Sequence, residues 1–181
     1  MSSFLQTTKY VLKMAWRIAV GLLAALIVLL LFLLLVPPFA RGWSLHHRLL
    51  TALDDAESVQ VVEHSDRWDK HSFDPDYKEK TYASIKLTPD QIEALRRAFP
   101  PTLDYSGYGE LMCIFEEHHY IKIIAKNGSV LTLHICFHCG QLILNDGSDR
   151  IMPIGWSSTL GKFIASIGLH PNGPWPPPDH P

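Results

Sequence analysis

The stretch "HYIKIIAKNGSVLTLHICFHCGQLIL", residues 119–144, decides the fold of this chain. Apolar residues dominate both sides of Asn127-Gly128, the dipeptide most typical of a two-residue β-hairpin turn. Polar and apolar residues alternate along much of each side, as they do in strands with one buried face. The stretch therefore predicts an antiparallel hairpin, followed by a tight turn near Cys139 and a third short strand.

The Asn127-Gly128 loop also predicts which residues of the two strands lie opposite each other. With two loop residues, counting outward along both strands places His119 opposite Cys136. Opposed residues share one face of the sheet, with Cβ atoms about 5 Å apart. This register points Cys136 away from the core. The other face carries an apolar set formed by Leu131, Leu133, Ile135 and Phe137.

Segments on both sides of the hairpin carry further strand and helix patterns. Strands are predicted in "SVQVVEH" (58–64), "TYASIKL" (81–87), "ELMCIF" (110–115) and "QLILND" (141–146). A helix is predicted after Thr88, because this residue suits the N-cap, Pro89 suits the first turn and Pro100 ends the pattern. Another is predicted in "SSTLGKFIASIGL" (157–169), where Gly168 suits the C-terminal cap. The order predicts an α+β fold, with two or three helices against one antiparallel sheet.

The run "IAVGLLAALIVLLLFLLLV", residues 18–36, has the composition of a transmembrane helix. At about 1.5 Å per residue it spans roughly 28 Å, close to the hydrocarbon thickness of a bilayer. It has no polar face, and it is longer than the apolar region of about 7–15 residues in a signal peptide. We therefore expect an uncleaved membrane anchor, ended by Pro37-Pro38 because proline disrupts helical hydrogen bonding.

The charges that flank this run predict its orientation. Lys9, Lys13 and Arg17 precede it, and basic residues favour the cytoplasmic side. The chain is therefore expected in the inner (cell) membrane, with its main domain periplasmic or extracellular. Four regions follow from this topology: a basic cytoplasmic tail (1–17), the transmembrane helix (18–40), an extracytoplasmic α+β domain (41–170) and a proline-rich disordered tail (171–181).

The charge of the part after the anchor limits its partners. Residues 41–181 carry all 18 acidic residues and 13 of the 16 basic ones, so nucleic acid is an unfavourable partner. The membrane remains the expected partner, together with a protein or small molecule of unknown type. All 10 histidines lie in this part as well, and we interpret them as a compositional bias.

Cys136 and Cys139 form a Cys-x-x-Cys motif with three interpretations. They are structural residues or a simple disulfide, ligands of a metal ion, or a redox pair. A tetrahedral zinc site would use Cys113, Cys136 and Cys139 together with His118 or His119, of which the hairpin register favours His119. A thioredoxin-like redox site needs the motif at a helix N-terminus, whereas here it follows one strand and precedes another.

The segment "CIFEEHHYIKIIAKNGSVLTLHICFHCGQLIL" (113–144) resembles a family of small uncharacterised bacterial proteins, secreted or membrane-anchored. That family carries a Cys-Phe-x-Pro-Arg-His segment, a hairpin and then Cys-Phe-x-Cys-Gly-Gln. The resemblance places the family histidine at His118 and the Gly-Gln pair at Gly140-Gln141. It therefore favours Cys113, His118, Cys136 and Cys139 as the ligand set, with His119 in reserve. This chain departs from the family at Glu116-Glu117, where the family has Pro-Arg. The resemblance implies a shared fold and motif but no reaction.

The sequence favours a non-catalytic role over an enzymatic one. It contains no GxSxG, HExxH or P-loop pattern. We expect a single-pass membrane protein with an extracytoplasmic binding or structural domain, for which a Cys/His zinc site is one hypothesis. The main alternative is a thiol-disulfide redox protein that uses Cys136 and Cys139. A hydrolase built on His118 with Glu116 or Glu117 is a third possibility.

Overall fold

The structure is a computed structural model that describes residues 2–67, 69, 77–104, 115–145 and 149–173; of residues 2–12 and 149–151 it describes the backbone alone. The chain divides into two compact units, Met1–Pro38 and Phe39–Pro181. Most of the predicted strand at 110–115 and of the proline-rich tail lies outside the described residues.

The first helix, α1, covers Ser2–Asp54. It contains an 18-residue window with a mean hydropathy of 3.3, and none of that window is buried. Apolar side chains that find no core are stable only in an apolar solvent or against a partner, and a bilayer is such a solvent. The predicted span is thus borne out as a candidate membrane-spanning helix.

The prediction that Pro37-Pro38 ends this helix is wrong, because α1 continues through both prolines. Each proline lacks the N–H that would donate to the carbonyl four residues earlier, yet its fixed φ is compatible with a helix. After the prolines, Leu45, Leu49 and Leu53 are buried in the core of the second unit. Burying three leucines offsets the hydrogen bonds that the prolines remove.

Within the described residues, six strands form one sheet, in the order β2-β1-β3-β4-β5-β6 with every neighbouring pair antiparallel. Their bounds are Ala56–His64 (β1), Thr81–Lys86 (β2), His119–Ala125 (β3), Val130–Cys136 (β4), Gln141–Leu144 (β5) and Asp149–Ile151 (β6). The α+β class and the antiparallel sheet are confirmed. Strand β6 was not predicted, since three residues carry too little pattern.

Two short helices follow the predicted capping signals. Helix α2, Pro89–Arg97, begins with a capping box in which Thr88 and Gln91 bind each other's backbone N–H groups. Helix α3, Trp156–Ser166, ends in a Schellman motif, in which Leu169 N–H donates to the Ile164 carbonyl. Both helices therefore begin and end within three residues of their predicted limits.

One face of the sheet carries the hydrophobic core. The end of α1, together with α2 and α3, packs on this face, and the largest buried side chain is that of Trp156. Its ring lies 4.9 Å from that of Phe99, and its indole N–H donates to the Pro100 carbonyl at 2.8 Å. The polar atom of this buried aromatic residue is thus satisfied, and the segment after α2 is held beside α3.

The predicted hairpin register is wrong by one residue. Ala125 N–H donates to the Ser129 carbonyl at 2.9 Å, so the loop has three residues, 126–128, with Gly128 left-handed at φ +83°. His119 therefore lies opposite Ile135 on the core face and does not share a face with Cys136. The predicted direction of Cys136, away from the core face, is confirmed, although other parts of the chain bury it completely.

Candidate functional site

One end of the sheet gathers histidine and carboxylate side chains from β1, β3, β4 and the segment after α3. We call this group the histidine cluster; its members are Glu63, His64, Glu117, His118, His119, His134 and His170. Antiparallel pairing brings them together, since Glu63 in β1 lies directly opposite His119 in β3. The histidines are thus not only a compositional bias, because half of them meet in one place.

On the face away from the core, Glu117 binds two histidines. One of its oxygens, Oε1, accepts a hydrogen bond from His134 Nδ1 and lies 3.3 Å from His64 Nε2. Burial alone would raise the pKa of Glu117, but the hydrogen bonds and charges of His134 and His64 lower it to about 2. Tyr120 lies between the two imidazoles, with ring distances of 5.3 Å and 5.9 Å.

The same interaction changes the titration of His64. Burial alone would lower the pKa of His64, but the hydrogen bond with Glu117 and the bond to the Ser65 carbonyl raise it. A raised histidine pKa beside an ionised carboxylate favours the charged imidazolium form. Glu117 therefore joins β1, the entry to β3 and β4 through an ion pair with His64 and a hydrogen bond from His134.

On the core face, Glu63 is a fully buried carboxylate. Its Oε1 accepts the backbone N–H of His170 at 2.9 Å and lies 3.5 Å from His119 Nε2. Burial alone would raise the pKa of Glu63, but the hydrogen bonds from His119 and His170 lower it. The His119 ring also packs edge-on against Phe137 at 5.4 Å, so both ends of the imidazole are held.

His118 stands between these two groups. Its Nδ1 donates to the His64 carbonyl oxygen at 3.3 Å, and its Nε2 lies 3.5 Å from Asp69 Oδ1. Burial lowers the pKa of His118 to about 4. The imidazole is therefore neutral at pH 7, with the lone pair on Nε2 if Nδ1 carries the proton.

The two cysteines of the motif are in different chemical states. Cys139 is disulfide-bonded, whereas Cys136 is a free and fully buried thiol, so they are not joined to each other. Burial raises the pKa of the Cys136 thiol, and backbone N–H groups of the following turn oppose that change only in part. Cys113, the third cysteine, lies outside the described residues.

The turn between the cysteines is closed by a hydrogen bond from the backbone to a sulfur atom. The backbone N–H of Cys139 donates to Cys136 Sγ at 3.2 Å, and Gly140 is left-handed at φ +62°. The left-handed glycine lets the chain reverse at once, so that Gln141 pairs with Cys136 at the start of β5. A strand before and a strand after the motif confirm that it does not lie at a helix N-terminus.

A cavity of about 200 Å³ connects this turn with the histidine cluster. Its walls include His118, His119 and Glu116 from the entry to β3, and Phe137 and His138 from the Cys-x-x-Cys turn. Within the described part of the chain, no three histidine, cysteine or carboxylate side chains are arranged to hold one metal ion. The cavity as it stands is a small histidine-lined recess whose walls are about equally polar and apolar.

Sequence reasoning found His118 and the cysteine turn but missed Glu63, His64 and His134. A signal for Glu63 exists in the strand pattern, because it occupies an inward position of β1 where a hydrophobic residue is expected. A buried carboxylate needs hydrogen-bond donors, and histidine is one of the few residues that supply them. The partner itself depends on β1–β3 pairing between residues more than fifty positions apart, which no short loop specifies.

Comparison with known protein families, with curated proteins and with solved structures gives no match to this chain. The class of protein is therefore defined by fold and site alone. It is an α+β domain that follows a candidate membrane-spanning helix and gathers histidines, carboxylates and a Cys-x-x-Cys turn at one end of its sheet.

Proposed function

We propose that this chain is a single-pass membrane protein whose α+β domain lies outside the cytoplasm and binds a ligand at the cavity beside the histidine cluster. The unburied apolar window of α1 supports the anchor. The basic residues before it support a cytoplasmic N-terminus. The disulfide at Cys139 supports an oxidising compartment for the domain, since such bonds rarely persist in the cytoplasm.

The orientation is tested with single cysteines and a membrane-impermeant maleimide on intact cells. A thiol at Glu57→Cys, an exposed position of β1, is expected to react, whereas one at Ser3→Cys is expected to react only after the membrane is opened. The unsubstituted chain gives the background from the buried thiol of Cys136. Labelling of Ser3→Cys but not of Glu57→Cys on intact cells would show that the topology is the reverse of the proposed one.

For the ligand, we propose zinc, bound by Cys113, His118, Cys136 and Cys139 in the reduced chain, before the disulfide of Cys139 forms. The N–H to Sγ hydrogen bond and the left-handed Gly140 give the turn the shape that orients two thiolates toward one ion. The neutral imidazole of His118 is in the protonation state that a metal ligand requires. The proposed resemblance to the small bacterial family with the Cys-Phe-x-Cys-Gly-Gln motif favours the same set of ligands.

Zinc content and free thiols, measured together on the full chain in detergent, test this ligand. The reduced chain is expected to bind about one zinc ion per molecule, and the oxidised chain none, because a disulfide sulfur is not a thiolate. Cys136→Ser and His118→Gln are expected to lose the ion, whereas His47→Gln, at an exposed histidine, keeps it. A His119→Gln variant decides between the two adjacent histidines.

A thiol-disulfide exchange function is the second candidate, because a free thiol lies three residues from a disulfide-bonded cysteine. The raised pKa of Cys136 opposes it, since the thiolate is the nucleophile. If the reduced chain binds no zinc and its cysteines equilibrate with a glutathione buffer at an oxidising potential, the redox function replaces the metal function.

A further inference from the structure

The globular unit is mostly covered by polar residues, yet its described part from residue 39 onward exposes four large hydrophobic side chains. These are Phe39, Trp43, Val130 and Ile154, each at least 40% exposed. Single exposed hydrophobic residues are common, but several at one end of a domain mark a contact surface. Three of the four lie at the same end.

Phe39 and Trp43 lie one helical turn apart on α1, with their rings stacked at 6.2 Å. Trp43 also contacts the His46 ring at 6.1 Å. Phe39 is one residue from the end of the uncharged segment 18–40, so chain connectivity alone keeps both rings near the surface of any bilayer that holds α1. Tryptophan is enriched at that depth because its ring is apolar and its N–H is polar.

Ile154 follows Trp43 by 111 positions in the sequence, but it lies at the same end of the globular unit. Its backbone N–H donates to the Leu103 carbonyl at 3.1 Å. The adjacent residue Thr102 touches Gly42 so closely that a Cβ on this glycine would lie 1.9 Å from the Thr102 carbonyl oxygen. The loop with Ile154 is therefore held, through residues 102–103, beside the turn of α1 that carries Phe39 and Trp43.

We infer that Phe39, Trp43 and Ile154 form a lipid-contact surface, with which the globular unit rests on the bilayer that α1 spans. This inference depends on the proposed membrane anchor. The partner is the boundary between headgroups and acyl chains, where isolated apolar and aromatic side chains insert without a deep pocket. The unit is thus docked at two points far apart in the sequence, and α1 is not its only connection to the membrane.

Val130 provides the matched control because it is exposed but lies at a different level. It borders a cavity together with Arg48, Thr51 and Ala52 of α1. These residues lie 6–10 positions beyond Gly42, which is roughly 9–15 Å farther along the helix. A side chain at this level is expected to face water while Ile154 faces lipid.

The test places a nitroxide label at Ile154→Cys, Val130→Cys or Leu29→Cys in the full chain, reconstituted in phosphatidylcholine vesicles. Collisions with oxygen, which concentrates in lipid, and with a water-soluble nickel chelate report the depth of each label. The label at position 154 is expected to meet oxygen more and nickel several-fold less than the label at 130. The unsubstituted chain gives the background from Cys136, which is fully buried.

Leu29→Cys tests the membrane anchor separately from the lipid-contact surface, since residue 29 lies within the apolar run. If the label at 29 lies in lipid and those at 154 and 130 are equally accessible to nickel, the lipid-contact surface is refuted and the anchor stands. If the label at 29 is accessible to nickel, the anchor fails as well. A label at 154 that is shielded from both reagents indicates a protein contact and also refutes the inference.

Discussion

Replacing Gly42 by alanine is expected to destabilise the globular unit by about 3 kcal/mol, a typical cost of forcing an extra methyl group into a packed site. The new Cβ would lie 1.9 Å from the Thr102 carbonyl oxygen and 3.1 Å from the Asp104 backbone nitrogen. Both are backbone atoms, so no side-chain rotation relieves the clash. Either α1 or the segment after α2 must therefore move. Either movement would disturb the hydrophobic core, which includes Leu45 of α1 and Trp156.

Gly21→Ala in the same helix is the matched control for this prediction. An alanine Cβ at position 21 would meet no other atom within 4 Å. In a helix interior the same change otherwise favours folding by about 1 kcal/mol, because alanine loses less conformational freedom than glycine. Thermal unfolding of both full-length variants in detergent measures the difference. A Gly42→Ala protein that melts at the temperature of Gly21→Ala would refute the close contact with Thr102.

Acidification from pH 6.5 to 4 is expected to lower the stability of the domain by about 3 kcal/mol through His118 alone, because folding lowers the pKa of this histidine from 6.5 to about 4. The unfolded chain takes up a proton at its ordinary pKa of 6.5, whereas the folded chain does so only near 4. The unfolded state thus binds more protons throughout this window. His119, whose pKa burial also lowers, acts in the same direction.

Two other groups of the histidine cluster define the limits of this window. The raised pKa of His64 means that its contribution is fully present below pH 6.5 and is lost as the pH rises through its folded value. The pKa of Glu117, lowered to about 2, gives a contribution that is lost only as the pH falls from 4.5 toward 2. The steepest loss between pH 6.5 and 4 is therefore assigned to His118 and His119.

Denaturant unfolding at a series of pH values measures this loss. In a His118→Gln variant the fall in stability between pH 6.5 and 4 is expected to shrink, because glutamine does not titrate. His47→Gln, at an exposed histidine, is expected to leave the profile unchanged. An equal fall in the wild type and in His118→Gln would show that burial of His118 does not control the acid response.

The elements of the fold could be predicted because their signals are local. Thr88, Pro89 and Gly168 specify helix ends within a few residues of themselves, and the structure has those ends. The hairpin register could not be predicted as reliably as the helix ends. Asn127-Gly128 fits both a two-residue loop and the observed three-residue loop, and the choice moves His119 from one face to the other.

The remaining features depend on contacts between distant parts of the chain. Pro37-Pro38 is a local signal for a helix end, but Leu49 and its neighbours gain more by packing into the core as a continuation of α1. The histidine cluster needs the pairing of β1 with β3, and the loop between those strands contains another strand and a helix. Sequence therefore predicted His118 and the cysteine turn, but it placed His118 with the cysteines and did not predict its contacts with the His64 carbonyl and Asp69.

The hydrogen bond between the Glu63 carboxylate and the His170 backbone N–H limits how far the C-terminal end of the domain can be shortened. His170 follows α3 and would be an obvious place to trim the chain, because the residues after it are rich in proline. Its backbone N–H, however, is a hydrogen-bond donor to a carboxylate with no access to water. Removing it leaves a buried negative charge with one partner fewer. The end of the folded domain is therefore set by the needs of a glutamate in its first strand, more than a hundred residues earlier.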